Sequence, residues 1–211
     1  FFSIGYLYFF SLYSKCSFKQ NKFYLCYYLN LAIMENIGIK DFYKEIFGEY
    51  GSQLDFFLES ISSNNLGHFN VFDTKKFYFS GVKNSEMTYN RRLYYKISLI
   101  NGKNLVEFAG KSVLIENQGI LFATPKIPYR YIPQDKEQAG FFCVFTKEFL
   151  SKSKTGILVD DFPIYQPNSD FVYELNDEQY LEMEAIFKKM DTELSSDYAY
   201  KYDLLRNYVL E

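Results

Sequence analysis

Apolar and aromatic residues fall in short runs through the middle of the chain and take up a helical period near its C-terminal end. The run Gly140 to Thr146 (GFFCVFT) is almost wholly apolar, the pattern of a strand buried on both faces. Upstream, His68 to Phe72 alternates with period two. Arg91 to Ile100 (RRLYYKISLI) puts Tyr95, Ile97 and Leu99 on one face and Tyr94, Lys96 and Ser98 on the other. Asn101-Gly102 predicts a hairpin turn into Leu105 to Phe108, because both residues tolerate positive φ. Gly110 and Asn117-Gln118-Gly119 mark further turns around short strands at Val113 to Ile115 and Gly119 to Ala123. Pro125, Pro128 and Pro133 then predict turns or a bent edge strand. Phe171 to Leu175 is the last strand, while Pro163 and Pro167 argue against a central strand over the extended run Ile157 to Tyr165. Short strands at this spacing predict an all-β sandwich or barrel for the middle of the chain.

Helical signals flank that region. Over Ile39 to Ser60, apolar residues at Phe42, Ile46, Phe47, Leu54, Phe57 and Leu58 approach i, i+4 spacing, with Gly48 and Gly51 as breaks and Ser62 to Gly67 as a loop. Asn176 is a good N-cap, followed by Asp177 and Glu178 at the positive end of the helix dipole and by Gln179 in a capping-box position. Tyr180, Met183, Phe187, Met190 and Leu194 then repeat at spacings 3, 4, 3, 4. That stripe fits either docking on the chain's own strands or a coiled-coil seam with a second copy. Ser195-Ser196-Asp197 caps a second predicted helix from Tyr198 into Glu211, with Leu204, Leu205, Tyr208 and Val209 in its stripe. The pattern meets no stop signal there, so the chain is expected to be part of a longer protein.

Composition narrows the classes. The 211 residues suffice for one domain with a sizeable core. A net charge of −3 leaves no bulk basic footprint for nucleic acid. With 23 Phe and 21 Tyr but no Trp, the chain favours strands and wide apolar interiors. Cys16, Cys26 and Cys143 form no disulfide framework and suit a reducing cytosol. Residues 1–33 lack Asp and Glu and precede the first Met, Met34. Three expectations stand for them: translated upstream sequence with the protein starting at Met34, a membrane anchor, or a structural segment. The apolar run Phe1 to Tyr13 is shorter than the roughly 20 residues a spanning helix needs, and its charges follow it, the reverse of a signal peptide.

No dinucleotide, phosphate-loop, zinc-protease, paired-cysteine or serine-elbow motif occurs. Glu182 and Glu184 fit a solvated helix face better than an acid/base pair. The one histidine, His68, rules out a multi-histidine metal site and is either a pocket residue or a hydrogen-bonded structural one. Arg91-Arg92 either hold an anionic ligand or divide into a surface arginine and one paired with a carboxylate such as Glu116. Lys96, on a strongly apolar strand, needs a carboxylate or a ligand if it faces inward. Tyr129-Arg130-Tyr131 reads as an aromatic-plus-cation recognition strand or as snorkelling surface residues. Periodicity does not say which face of Arg91 to Ile100 turns inward, so the candidate ligand set takes both: His68, Arg92, Tyr95, Lys96, Tyr129 and Tyr131.

Five strings in order resemble the N-terminal sensor region of AraC-family transcription regulators, in the form common in Bacteroidetes. They are GHFNVF (Gly67 to Phe72), RRLYYKISLI (Arg91 to Ile100), LFATPKIPYRY (Leu121 to Tyr131), AGFFCVFTKEFL (Ala139 to Leu150) and SSDYAYKYDLLRNYVLE (Ser195 to Glu211). The resemblance covers about Ile39 to Glu211. It implies an α+β, mainly β chain: a cupin-like β-barrel (double-stranded β-helix) followed by two C-terminal helices. It divides the chain into a leader (1–33), an N-terminal helical segment (34–66), a sensor barrel (67–175) and a helical dimerisation arm (176–211). It also implies homodimerisation through Tyr180, Met183, Phe187, Met190 and Leu194, and a possible small-molecule effector. DNA contact would come only through a helix-turn-helix domain missing here, in a cytoplasmic protein with no membrane contact. The family's enzymatic relatives hold metal through a histidine cluster, which one histidine cannot supply, so no metal, no cofactor and no enzymatic activity are expected. The alternatives are a metal-free cupin isomerase or epimerase, using His68 with Tyr95 or Lys96, and a ligand-free structural dimerisation module.

Overall fold

The computed structural model describes residues 36–47, 67–79, 89–135, 137–151, 158–166 and 169–211. The expectations for residues 1–33, for the first helix beyond Phe47 and for the loop before Gly67 lie outside them.

Mixed helix and strand is the class, with strands dominant. β1 (Asn36–Ile37) pairs in parallel with β3 (Arg91–Arg92). A five-stranded antiparallel sheet runs in the order β10 (Val172–Glu174), β7 (Gln118–Ala123), β4 (Tyr95–Asn101), β9 (Ala139–Phe145), β2 (Phe69–Asp73). A three-stranded antiparallel sheet runs β6 (Lys111–Ile115), β5 (Asn104–Phe108), β8 (Tyr129–Pro133). The proline-marked segment is an edge strand, β8, whose last residue is Pro133, as a residue without a ladder donor requires. The apolar run is β9, in the sheet interior between β4 and β2.

The hairpin expectation is corrected. Asn101-Gly102 is not a hairpin turn, because β4 and β5 do not pair with each other and lie in different sheets. Gly102 has φ of 128°, and its N–H donates to the Asn117 carbonyl at 2.7 Å. The positive φ is used for a corner, where one long strand bends from sheet to sheet. The return strand, β6 then β7, bends at the same level, and Lys103 meets Glu116 across the corner at 2.8 Å. Thus β4–β5 and β6–β7 form one folded-over hairpin with its tip at Ala109-Gly110, both at positive φ. β8 and β9 follow the same path along its other edge.

Both faces of the five-stranded sheet are covered. On one, Phe69, Val71, Tyr95, Ile97, Leu99, Ile120, Phe141, Cys143 and Phe145 pack against Tyr180, Phe187 and Met190 of helix α4 (Asp177–Leu194) and Leu205 of α5 (Lys201–Leu210). The predicted capping box opens α4: Asn176 accepts from the Gln179 backbone at 2.9 Å, and the Gln179 side chain accepts from Asn176 N–H at 3.1 Å. α5 begins three residues later than the sequence predicts, at Lys201. Buried Arg206 ties it to the Phe149 carbonyl at 2.6 Å, on the short helix α3 (Lys147–Ser151). Val159–Asp161 and Pro163–Tyr165, predicted as an extended run, are single 3-10 turns. Helix α2 (Thr74–Phe79) directly follows β2, with Asp73 accepting from the Lys75 backbone.

On the other face, Ile100, Leu121 and Ala123 meet Val106, Phe108, Ile115 and Tyr129 of the three-stranded sheet, while Phe142 and Val144 meet helix α1 (Ile39–Phe47) through Phe42 and Tyr43.

A candidate functional site beneath the first helix

The face covered by α1 and the small sheet carries the concentrated polar chemistry. Leu93 and Tyr94 separate the two-residue β3 from β4, and this break turns Arg92 inward. Arg92 is 1% exposed, and Arg91 is exposed. The Arg92 guanidinium lies 4.5 Å over the Tyr129 ring and donates from Nη1 to the carbonyls of Tyr129 (3.1 Å) and Asn90 (3.2 Å). Its Nε, and the buried hydroxyl of Tyr129, have no hydrogen-bond partner among the described residues, and the buried Tyr94 hydroxyl lies close to the guanidinium without a well-aligned hydrogen bond. Burial raises the pKa of both phenols, so they are neutral donors.

Lys96 points to the same side. Its Nζ sits 4.4 Å over the Phe142 ring and makes no ion pair among the described residues. Burial, and next the charge of Arg92, bring its pKa down from 10.5 to about 7. The two cations respond differently for a chemical reason. A guanidinium cannot shed its proton at any accessible pH, so Arg92 is solvated by carbonyls and an aromatic face, whereas an ammonium relieves its burial by deprotonating. Glu45 on α1 lies within electrostatic reach of both cations and forms an ion pair with neither among the described residues. The carboxylate pairings anticipated for the arginines fall elsewhere: Glu116 binds Lys103, and Arg130 binds Glu107 at 2.7 Å.

Three of the six candidate ligand residues, Arg92, Lys96 and Tyr129, therefore converge. Tyr131 shares a strand face with Tyr129, but its hydroxyl goes to Gln138 at 3.3 Å in the corner network with buried Asn104. His68 lies under α1, where Nε2 and the Tyr43 hydroxyl are 2.8 Å apart and Asn70 donates to that hydroxyl at 2.9 Å. Burial lowers the imidazole to about 4, so at neutral pH it is uncharged in a structural triad. Tyr95 faces the helix side: it stacks on Phe145 and donates to Asp160 at 2.6 Å, a carboxylate also met by Lys126 and Lys147. The acid/base pair of His68 with Tyr95 is thus split across the sheet. Sequence reasoning missed Glu45, Tyr43, Tyr94 and Asn70; only the polar Asn70 inside an alternating strand carried a signal.

The stripe Tyr180, Met183, Phe187, Met190 and Leu194 packs against the chain's own sheet, the intrachain one of the two arrangements its period allowed. What the arm leaves exposed is Leu181 at 61%, Tyr198 at 53% and Tyr200 at 64%. Among the described residues no group of three His, Cys, Asp or Glu side chains is placed to hold a metal ion, and no helix is long and apolar enough to cross a membrane.

No protein-family model and no curated protein matches the chain. Among solved structures it is similar to apo ToxT K231A from Vibrio cholerae strain SCE256, at 17% identity and a TM-score of 0.43, over 69% of this chain and 53% of that one. The chain spans about half the length of that structure.

Proposed function

We propose that this chain is the effector-sensing and dimerisation region of an AraC-type transcriptional regulator, and that its effector is a small anion. The observation that carries the sensing half is the Arg92–Lys96 pair: a buried guanidinium and a half-buried amine beside the phenols of Tyr94 and Tyr129, with no carboxylate in salt-bridge contact among the described residues. Burying such charge is unfavourable unless something of opposite sign arrives. A carboxylate or phosphate would accept from the Arg92 guanidinium and from the Tyr94 and Tyr129 hydroxyls, and would restore the charge of Lys96. The regulator half rests on the five resembling strings. In this reading the curled double-layer strands are a cupin-like barrel over 67–175, preceded by a helical segment over 34–66. The arm over 176–211 pairs two copies through its exposed face, around Leu181, Tyr198 and Tyr200. DNA is bound by a segment outside this chain, in the cytoplasm, and no catalysis is involved. Effector binding need shift the arm by only about 1–3 kcal/mol to switch a regulator.

Light scattering tests the assembly: a dimer at micromolar concentration that Leu181→Asp or Tyr200→Asp converts to a folded monomer. A wild-type monomer overturns the dimerisation half. Calorimetry with succinate and octanoate tests the anion site. Binding should tighten as pH falls from 8 to 6, because the anion favours protonated Lys96, and it should be lost in Lys96→Met. Binding that ignores both pH and Lys96 overturns the sensing half.

A further inference from the structure

A cavity of about 270 Å³ lies on the opposite face of the five-stranded sheet, beneath the C-terminal helices. Ile120 and Phe122 of β7 form its floor, with Met183 and Phe187 of α4 and Val209 of α5 across from them. Tyr165, from the second 3-10 turn, lines it too. That residue is 4% exposed, is held edge-on by Tyr95 at 5.2 Å and makes no hydrogen bond through its hydroxyl among the described residues. The ring is buried while the hydroxyl oxygen keeps some accessibility, so it is available to donate to an acceptor. Among the described residues no lysine, arginine or histidine lines the cavity, and the one charged lining residue is the acid Glu211. An anionic head group is disfavoured there, in contrast to the site under α1.

We propose that this cavity binds a small neutral, mainly aliphatic molecule with one oxygen acceptor, an alcohol, ketone or ester, whose oxygen receives the Tyr165 hydroxyl. Apolar walls with a few polar groups, here Tyr165, Tyr208 and Glu211, are the ordinary make-up of a small-molecule site. Scaled from the ~150 Å³ cavity that admits benzene, the space suits roughly ten non-hydrogen atoms. Such a ligand touches the sheet and both helices at once, so its occupancy braces α4 and α5 against the sheet. The inference stands apart from the anion reading of the other face.

The test uses the full 211-residue chain with methyl-labelled methionine, titrated with 1-octanol, octanoate and toluene. With 1-octanol, the Met183 and Met190 methyl signals, both from cavity-lining residues, should shift saturably. Tyr165→Phe should weaken 1-octanol by about five- to tenfold while leaving toluene within about twofold, a split that general loosening would not produce. Met183→Trp, with the fold checked by circular dichroism, should abolish both. Unmoved methyl signals, equal losses for 1-octanol and toluene in Tyr165→Phe, or cavity binding of octanoate as tight as that of 1-octanol would each overturn the proposal. Octanoate binding lost in Lys96→Met, with no effect of 1-octanol on either methyl, would uphold the anion reading and overturn this one; the reverse pattern would do the opposite.

Discussion

On the helix side of the five-stranded sheet, Ile97, Leu99, Ile120, Phe141, Cys143 and Phe145 present apolar atoms to an amphipathic helix pair. On the other side, the same strands present Asn70, Lys96 and Ser98, and the covering elements add Tyr43, Glu45, Arg92 and Tyr129. Both sides are covered, although Glu45 is exposed and Lys96 half-buried, so the contrast is not mainly one of burial. It follows from what covers each side. The helix stripe offers mainly hydrocarbon and rings, and the charges on that side, Arg206 and Asp160, are held at its margins by the Phe149 carbonyl and by Tyr95 with two lysines; the Cys143 thiol there is pushed up to about 12 by burial. The first helix and the small sheet bring backbone carbonyls, phenols and aromatic faces, which are able to hold a guanidinium and tolerate an amine. One face therefore supplies cohesion and the other can respond to charge and to pH.

The largest effect should come from striking both faces at once. Gly140 in β9 has φ of 109°, and a Cβ there would lie 2.0 Å from the Leu99 carbonyl oxygen of the neighbouring strand. Gly140→Val should cost at least about 4 kcal/mol in urea unfolding or prevent folding. On the helix side alone, Phe187→Ala removes a ring stacked 6.0 Å from Phe141 and should cost about 3 kcal/mol. That is the low end for such a change, because a cavity already adjoins the ring. The loss should not vary between pH 5 and 9, since burial holds the phenols of Tyr95, Tyr165 and Tyr180 on that face neutral there.

The polar face should show the opposite behaviour. His68 has its folded pKa depressed from 6.5 to about 4, so the neutral ring contributes stability that is present above pH 6.5 and lost as pH falls towards 4. The expected loss is up to about 3 kcal/mol, and His68→Gln should flatten that window. Lys96 also has a depressed folded pKa, about 7 against 10.5. Its burial penalty is full below pH 7 and fades as pH rises towards 10.5, so wild-type stability climbs over that range. Lys96→Met should be about 1–2 kcal/mol more stable than wild type at pH 6, with the difference vanishing near pH 10. A penalty independent of pH would mean that Lys96 keeps its proton and that the two faces differ less than their composition implies.

Local signals in the sequence located most strands and the long C-terminal helix. Runs such as Gly140 to Thr146 are too apolar for any exposed position, and Asn176 with Gln179 satisfies helix-end donors through neighbours only three residues apart. Short helices were not legible: Thr74–Phe79 and Lys147–Ser151 are too brief to display a period. The hairpin expected at Asn101-Gly102 failed because positive φ specifies a bend but not which strand the chain meets after it. In the candidate site, Arg92, Lys96 and Tyr129 were legible as cations and rings on strands that ought to be buried. Tyr95 was misplaced because alternation assigns faces without saying what covers them, and here both are covered. Glu45 could not be seen at all, since nothing in its own stretch signals the distant strand it approaches.

By itself, then, the sequence determined the periods: which residues alternate, where backbone donors must be capped, and that Arg92 and Lys96 sit among apolar neighbours. These properties depend on residues a few positions apart. The tertiary structure alone decided the partners. It bent two strands across both sheets, turned the Tyr180 to Leu194 stripe onto the chain's own sheet, and placed two cations with two phenols while Glu45 stayed out of contact. Those outcomes depend on contacts between residues tens of positions apart, where many pairings satisfy the same local pattern and only the packing of the whole chain selects one.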